Sequence, residues 1–311
     1  TARIVRGEID TGLLAASELK TRELARWRAE HLDDASWFQG VSIAAAVRRL
    51  RQAPRSVPAQ VAMREWLVTG ERHYETDQAF LLDATGATLM SAPETAGPAA
   101  SVLVEAAAAS LRLGQPQLQD FYRDPRDQHV HLALIVPVLD AEDGNRPLGV
   151  IVLRINPATA LYPFVQHWPT PNTSAETLIV RRDGNDALYL NALRFQPDAA
   201  LALRLPLAGN SARPAVQAVM GRRGIVDGED SQGAPVVAAI NAVPDSLWIV
   251  VTSIDKAEAF TPLVREMRLT AVLVGIIVCG AGAVAVLLRR QQRAAHDRTQ
   301  LALTSALRES E

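Results

Sequence analysis

The chain has 311 residues, 48% of them hydrophobic, and a formal net charge of −2. That length builds one large or two small domains plus a membrane segment, and the near-neutral balance without a basic stripe argues against nucleic acid as a partner. The single cysteine, Cys279, excludes an intrachain disulfide and any paired-cysteine zinc or redox motif.

The chain opens on Thr1 with no signal peptide. If most of it is exported, something upstream must carry it across, and a first transmembrane helix is the simplest expectation. Residues 8–34 are predicted to form one long helix. Ile9, Leu13, Ala16, Leu24 and Trp27 lie along a heptad stripe interrupted at Lys20, and the rest of the surface is charged. Such a stripe pairs with a second copy or packs on its own domain; both readings stay open. Residues 36–52 and 58–70 read as two further helices, split by Pro54 and Pro58.

Beyond His73 the pattern turns to strands. Residues 79–92 read as a hairpin turning at Thr85-Gly86, 101–114 as a helix ending at Gly114, and 131–140 with 146–155 as a second hairpin. The same order recurs: a hairpin over 176–193 turning at Asp183-Gly184-Asn185, a short helix Pro214–Gly221, a hairpin over 224–240, and a strand over 246–254. The proline-rich stretch 157–174 links the two. The fold class is therefore α+β: a long N-terminal helix and two antiparallel α+β modules in series.

Residues 269–288 carry no charge over twenty positions, enough at ~1.5 Å rise to cross a hydrocarbon core of about 30 Å. Gly275, Gly280 and Gly282 would let a partner helix approach closely. Arg289, Arg290, Arg293 and Arg298 follow the span, while Arg265 and Arg268 before it are offset by Glu258 and Glu266. The positive-inside rule then places residues 289–311 in the cytoplasm and 1–268 outside. The expected segments are 1–74 helical, 75–160 a membrane-distal module, 161–256 a membrane-proximal module, 257–288 the membrane helix and 289–311 a cytoplasmic linker.

This layout resembles a double Cache sensor domain, in which PAS-like modules stand in series outside the membrane. Residues 19–35, 176–195 and 224–260 are similar in wording to the extracellular region of proteobacterial PAS-containing hybrid sensor histidine kinases. Residues 301–311 look like the helix leading into a cytoplasmic PAS domain. The resemblance implies a bacterial inner-membrane receptor with a periplasmic sensor, a small-molecule ligand, a parallel homodimer and no cofactor. It also implies that the ligand sits in the distal module. The chain lacks the amino-acid-recognition pattern expected of amino-acid-sensing Cache domains, so the ligand class stays open. A diguanylate cyclase output and, from another class, a membrane-anchored extracytoplasmic hydrolase are the competing readings.

No phosphate loop, nucleophile elbow or metalloprotease motif occurs in the sequence, so no catalytic residue and no metal site is assigned. His296 and its neighbours loosely match a phosphoacceptor box but lack its proline; a polar juxtamembrane helix face is the simpler reading. The candidate ligand residues are Tyr122, Arg123, Asp124, His129 and His131. Arg123 suits a carboxylate or phosphate and Asp124 an amine or hydroxyl, with Tyr122 closing the apolar side. On an extended strand alternate residues diverge, so Tyr122 with Asp124, or Arg123 alone, should line the pocket. By the same rule His129 and His131 should share a face.

Overall fold

The structure is a computed structural model that describes residues 2–73, 76–94, 97–168, 174–259 and 273–280. Residues 7–258 form one compact unit; residues 1–6 and 259–311 belong to a second. In the second, residues 273–280 are helical and exposed. Among the described residues no helix is long and apolar enough to cross a membrane. The rest of the expected span 269–288 lies outside the described residues, as does His296.

Helix α1 (Ala2–Asp34) runs unbroken because no proline interrupts it. A 3-10 turn (Ala35–Gln39), α2 (Val41–Gln52) and α3 (Val57–His73) follow. The apolar positions Ile43, Val47 and Leu50 of α2 and Met63 and Leu67 of α3 are buried in one cluster with Leu24 of α1. Leu13 and Leu24 are buried, and so are Ser17, Lys20 and Thr21 between them. The packed face of α1 therefore runs through Lys20.

That burial of a cation has a local cause. The ammonium of Lys20 donates to the carbonyls of Val165, of His167 at 2.7 Å and of Phe164 at 3.4 Å. These lie in the last turn and at the C-cap of the short helix α6 (Tyr162–Gln166), whose last carbonyls have no intrahelical donor. Burial pulls the Lys20 pKa down to about 8, against a smaller opposing effect of Glu23.

The first sheet has the strand order β2-β1-β5-β4-β3, all antiparallel. Its strands are β1 (Gln78–Leu82), β2 (Thr88–Ala92), β3 (Gln117–Arg123), β4 (Val130–Asp140) and β5 (Arg146–Ile155). Helix α4 (Ser101–Leu113) covers one face; α2, α3 and the 3-10 turn cover the other. The β1–β2 turn needs Gly86, which has φ +93° and no room for a Cβ beside Val104.

The second sheet has the order β8-β7-β6-β11-β10-β9. Its strands are β6 (Glu176–Asp183), β7 (Asp186–Tyr189), β8 (Arg204–Pro206), β9 (Gly224–Glu229), β10 (Pro235–Ala242) and β11 (Ile249–Asp255). Apart from the extra edge strand β8, the plan repeats the first sheet: an opening hairpin at one side, then the last strand inserted beside the first. Helix α7 (Pro214–Val219) plays the part of α4. A short α5 (Pro157–Ala160) precedes α6 in the linking stretch, and α8 (Lys256–Ala259) continues directly from β11.

Candidate functional site

Strand β3 was not apparent in the sequence, and it carries the site. Residues 121–124, expected to precede a strand, are its C-terminal end and the turn beyond. Against β4, Gln119 pairs with Ala133 and Tyr122 with His131, so β3 has one extra residue in between. This bulge changes which way the side chains point. Phe121 packs in the cluster shared with α2 and α3, whereas Tyr122 packs on the opposite face with Leu103 and Ala107 of α4.

Asp124 follows β3 and is fully buried. Its carboxylate accepts from the Arg126 backbone N–H at 2.9 Å, from Arg126 Nη2 at 3.1 Å and from Arg154 Nη1 at 3.1 Å. Arg154, on β5, also donates to Asp127 at 3.1 Å and makes a two-pronged pair with Asp77 at 2.9 and 2.7 Å. Arg126 reaches on to the carbonyl of Pro98, tying the turn after β3 to the segment before α4. Three carboxylates thus surround two guanidinium groups.

His131, on β4, is buried, and its Nε2 lies 3.0 Å from Asp127 Oδ2. Burial and the charge of Arg154 hold its pKa below the usual imidazole value, despite Asp77 and Asp127. Burial alone would raise the Asp124 carboxyl; the hydrogen bonds from Arg126 and the charges of Arg126 and Arg154 outweigh it and hold it low. Burial raises the Tyr122 hydroxyl pKa. Two polar atoms in this cluster are buried without a hydrogen-bond partner, the Tyr122 hydroxyl and His131 Nδ1. Their rings lie 6.0 Å apart.

The five sequence candidates therefore separate. Tyr122, Asp124 and His131 come together with Asp77, Asp127 and Arg154. Arg123 points elsewhere, donating to the carbonyls of Gln128 and, at 2.8 Å, of Ala200 before the strand β8. His129 and His131 both approach Asp127, with their rings 6.5 Å apart, but only His131 is buried. The strand starts only at Val130, Gln128 adopts φ 60°, and the His129 side chain is 79% exposed. Among the described residues no group of three or more His, Cys, Asp or Glu is placed to hold a metal ion; Arg154 fills the centre of the carboxylates. Sequence reasoning missed Arg154 and Asp77, each a lone charge in or beside an apolar strand. That is the available signal, since an unpaired charge does not survive on a buried strand.

The residues of β3 just before Tyr122 face the second sheet. Asp120 pairs with Arg181 of β6 and accepts from Trp248 Nε1 at 2.7 Å, just before β11. Phe121 lies 5.1 Å from the Trp248 ring and 6.4 Å from Tyr162, and the Arg28 guanidinium of α1 stacks over Trp248 at 4.7 Å.

No protein-family model and no curated protein sequence matches the chain. Solved structures do. The ligand-binding domain of the Pseudomonas fluorescens chemoreceptor CtaA in complex with L-isoleucine is 15% identical, with a TM-score of 0.52 over 83% of this chain and 97% of that one. That of the Pseudomonas aeruginosa PAO1 chemoreceptor PctB, in complex with L-Arg, gives 17% and 0.55 over 83% and 92%. Its PctC counterpart with GABA gives 16% and 0.52 over 79% and 99%. The chain has the fold of these sensor domains. That fold is the double Cache arrangement of a long helix and two PAS-like sheets in series.

Proposed function

We propose that the chain is the extracytoplasmic ligand-sensing region of a bacterial transmembrane receptor, acting by binding rather than catalysis. The observation that carries this reading is the pair of buried polar atoms without a hydrogen bond, Tyr122 Oη and His131 Nδ1, the latter 3.7 Å from Asp77 Oδ2, beside a buried charge network in the distal module. Leaving such a group unsatisfied costs about 1–3 kcal/mol, so a native site that keeps two invites a ligand that completes them. The chemoreceptor domains of like fold were solved with amino acids or GABA. With three carboxylates to two guanidinium groups, the cluster suits a small polar ligand bearing an amine, held by Tyr122, Asp124 and His131.

The site shares its strand with the contact to the second sheet, so a shift of β3 reaches Trp248 and β11, and from there α8. The likeness of residues 19–35, 176–195, 224–260 and 301–311 to sensor kinases supports a PAS-linked histidine kinase as the output. Residues 269–288 are the proposed membrane span, with 289–311 inside. The receptor reading also carries a parallel homodimer. Because Leu13 and Leu24 are buried, α1 offers a second copy its outer face, where Leu19 is 46% exposed.

The test is a thermal-shift screen of the full chain against L-amino acids and primary amines. A ligand at a hundred times its Kd stabilises the fold by about 2.7 kcal/mol. The shift should shrink in Tyr122→Phe and persist in His129→Ala. A hit without a carboxylate that is insensitive to Tyr122→Phe would remove the assigned site.

A further inference from the structure

A cavity of about 300 Å³ opens at the start of β6, away from the cluster around Arg154. It is lined by Gln166, Trp168, Ala175, Glu176, Thr177, Ala192 and Arg194. Its volume lies at the small end of the range for organic ligands.

Its polar lining is incomplete in the same way as the distal site. The Thr177 hydroxyl and the Trp168 indole N–H are both buried without a hydrogen-bond partner. Thr177 as a whole is only 2% exposed. Neither group is left over from loose packing. Asn191 is fully buried and fixes the strand around Thr177, accepting from the Ile179 N–H at 2.7 Å and donating to the Thr177 carbonyl at 3.0 Å. The Trp168 ring is faced by the Lys20 ammonium at 5.7 Å, which is itself anchored on the carbonyls at the end of α6. Both residues line the cavity, each held by its own scaffolding.

The charged residues complete the pattern. Arg194 adds a guanidinium to the two neutral donors, so one side of the cavity offers three donors for an oxyanion. Glu176 accepts only the Arg194 backbone N–H in the vicinity, at 2.6 Å. Burial raises its pKa, and Asp230 and Asp255 add to that rise, against the opposing hydrogen bond and charge of Arg194. A carboxylate in that state gains from a cation brought to it.

We infer that this cavity is a second ligand site, in the membrane-proximal module, for a small zwitterion. The ligand carboxylate takes Thr177 Oγ1–H, Trp168 Nε1–H and the Arg194 guanidinium, and its ammonium group takes Glu176. The site is independent of the distal cluster and does not rest on the receptor reading.

The experiment is calorimetric titration of the full chain carrying Tyr122→Phe, with glycine and β-alanine as probes and propionate and ethylamine as single-charge controls. The zwitterions should bind more tightly than either control. Thr177→Val and Arg194→Gln should each weaken binding about tenfold or more, equivalent to ~1.4 kcal/mol. Thr177→Val replaces an orphaned hydroxyl by a methyl group, so it should also raise the melting temperature of the unliganded chain, which shows that lost binding is not lost folding. Failure of both zwitterions to bind would overturn the proposal. So would binding indifferent to Thr177→Val and Arg194→Gln, or controls binding as tightly as zwitterions.

Discussion

Asp120 accepts the indole N–H of Trp248 at 2.7 Å, joining residues 128 positions apart in sequence. The contact bolts the strand that carries Tyr122 to the start of β11. It exists because the bulge between Gln119 and Tyr122 lets neighbouring residues of β3 serve different neighbours: Asp120 and Phe121 the second sheet, Tyr122 the α4 side.

Removing the donor should therefore be felt at both ends. Trp248→Phe is expected to cost about 1–3 kcal/mol, because it removes one donor from a half-buried carboxylate that keeps Arg181 and the Phe121 backbone N–H. In a double-mutant cycle with Asp120→Asn, measured by denaturant unfolding, the two should couple by about 0.5–3 kcal/mol. Simple additivity would mean the contact carries no energy.

The distal charge network sets a pH dependence. The folded-state pKa of His131 is lowered, so the unfolded chain takes up the proton more readily. Its contribution is fully present above the unfolded imidazole pKa of about 6.5 and fades as pH falls below that value. Asp124 and Asp127, also held low, lose theirs at more acidic pH, as it falls through their folded pKa values. Unfolding free energy measured against pH should decline below neutrality, and His131→Asn should flatten the first part of that decline. An unchanged slope in His131→Asn would show that the imidazole already titrates normally.

Much of this architecture was legible in the sequence. The hairpins at Thr85-Gly86 and Asp183-Gly184-Asn185 announce themselves through turn residues, and the long helix through its lack of breakers. Strand β3 did not, because QLQDFYR holds no β-branched residue and its alternation is broken by the bulge. Lys20 looked like an interruption of an apolar stripe; its partners, the carbonyls at the end of α6, lie about 145 residues away and leave no local trace. The site was half visible. Tyr122, Asp124 and His131 stand near one another in sequence, but Arg154 and Asp77 reach them only through the β1–β5–β4 pairing.

Lys20 gives a prediction of its own. Lys20→Met keeps the stem and removes the ammonium that satisfies the carbonyls at the end of α6. Stability should fall by about 1–3 kcal/mol, and amide exchange over residues 161–168 should accelerate ahead of the two sheets. Uniform acceleration everywhere would assign Lys20 to global stability instead.

Burial also revises where a second copy can touch α1. Leu13→Cys faces its own chain and should not crosslink in membranes, whereas Leu19→Cys on the outer face should. The reverse pattern would mean that α1 leaves its domain to pair.

The proposed membrane topology can be read with reporters. Alkaline phosphatase fused after Ile254 should be active, and fused after Arg293 inactive. Gly280→Arg should impair insertion, since an arginine near the centre of a span costs about 2.5–3.5 kcal/mol on insertion scales. An inactive fusion after Ile254 with an active one after Arg293 would invert the chain.

The most direct measurement is a comparison of ligand-induced thermal shifts among the parent chain, Tyr122→Phe and Thr177→Val, using a primary amine without a carboxylate found by the screen. If the distal cluster is the sensing site, Tyr122→Phe loses most of the shift and Thr177→Val keeps it. A shift that survives Tyr122→Phe and disappears in Thr177→Val would place sensing in the other module and contradict the account.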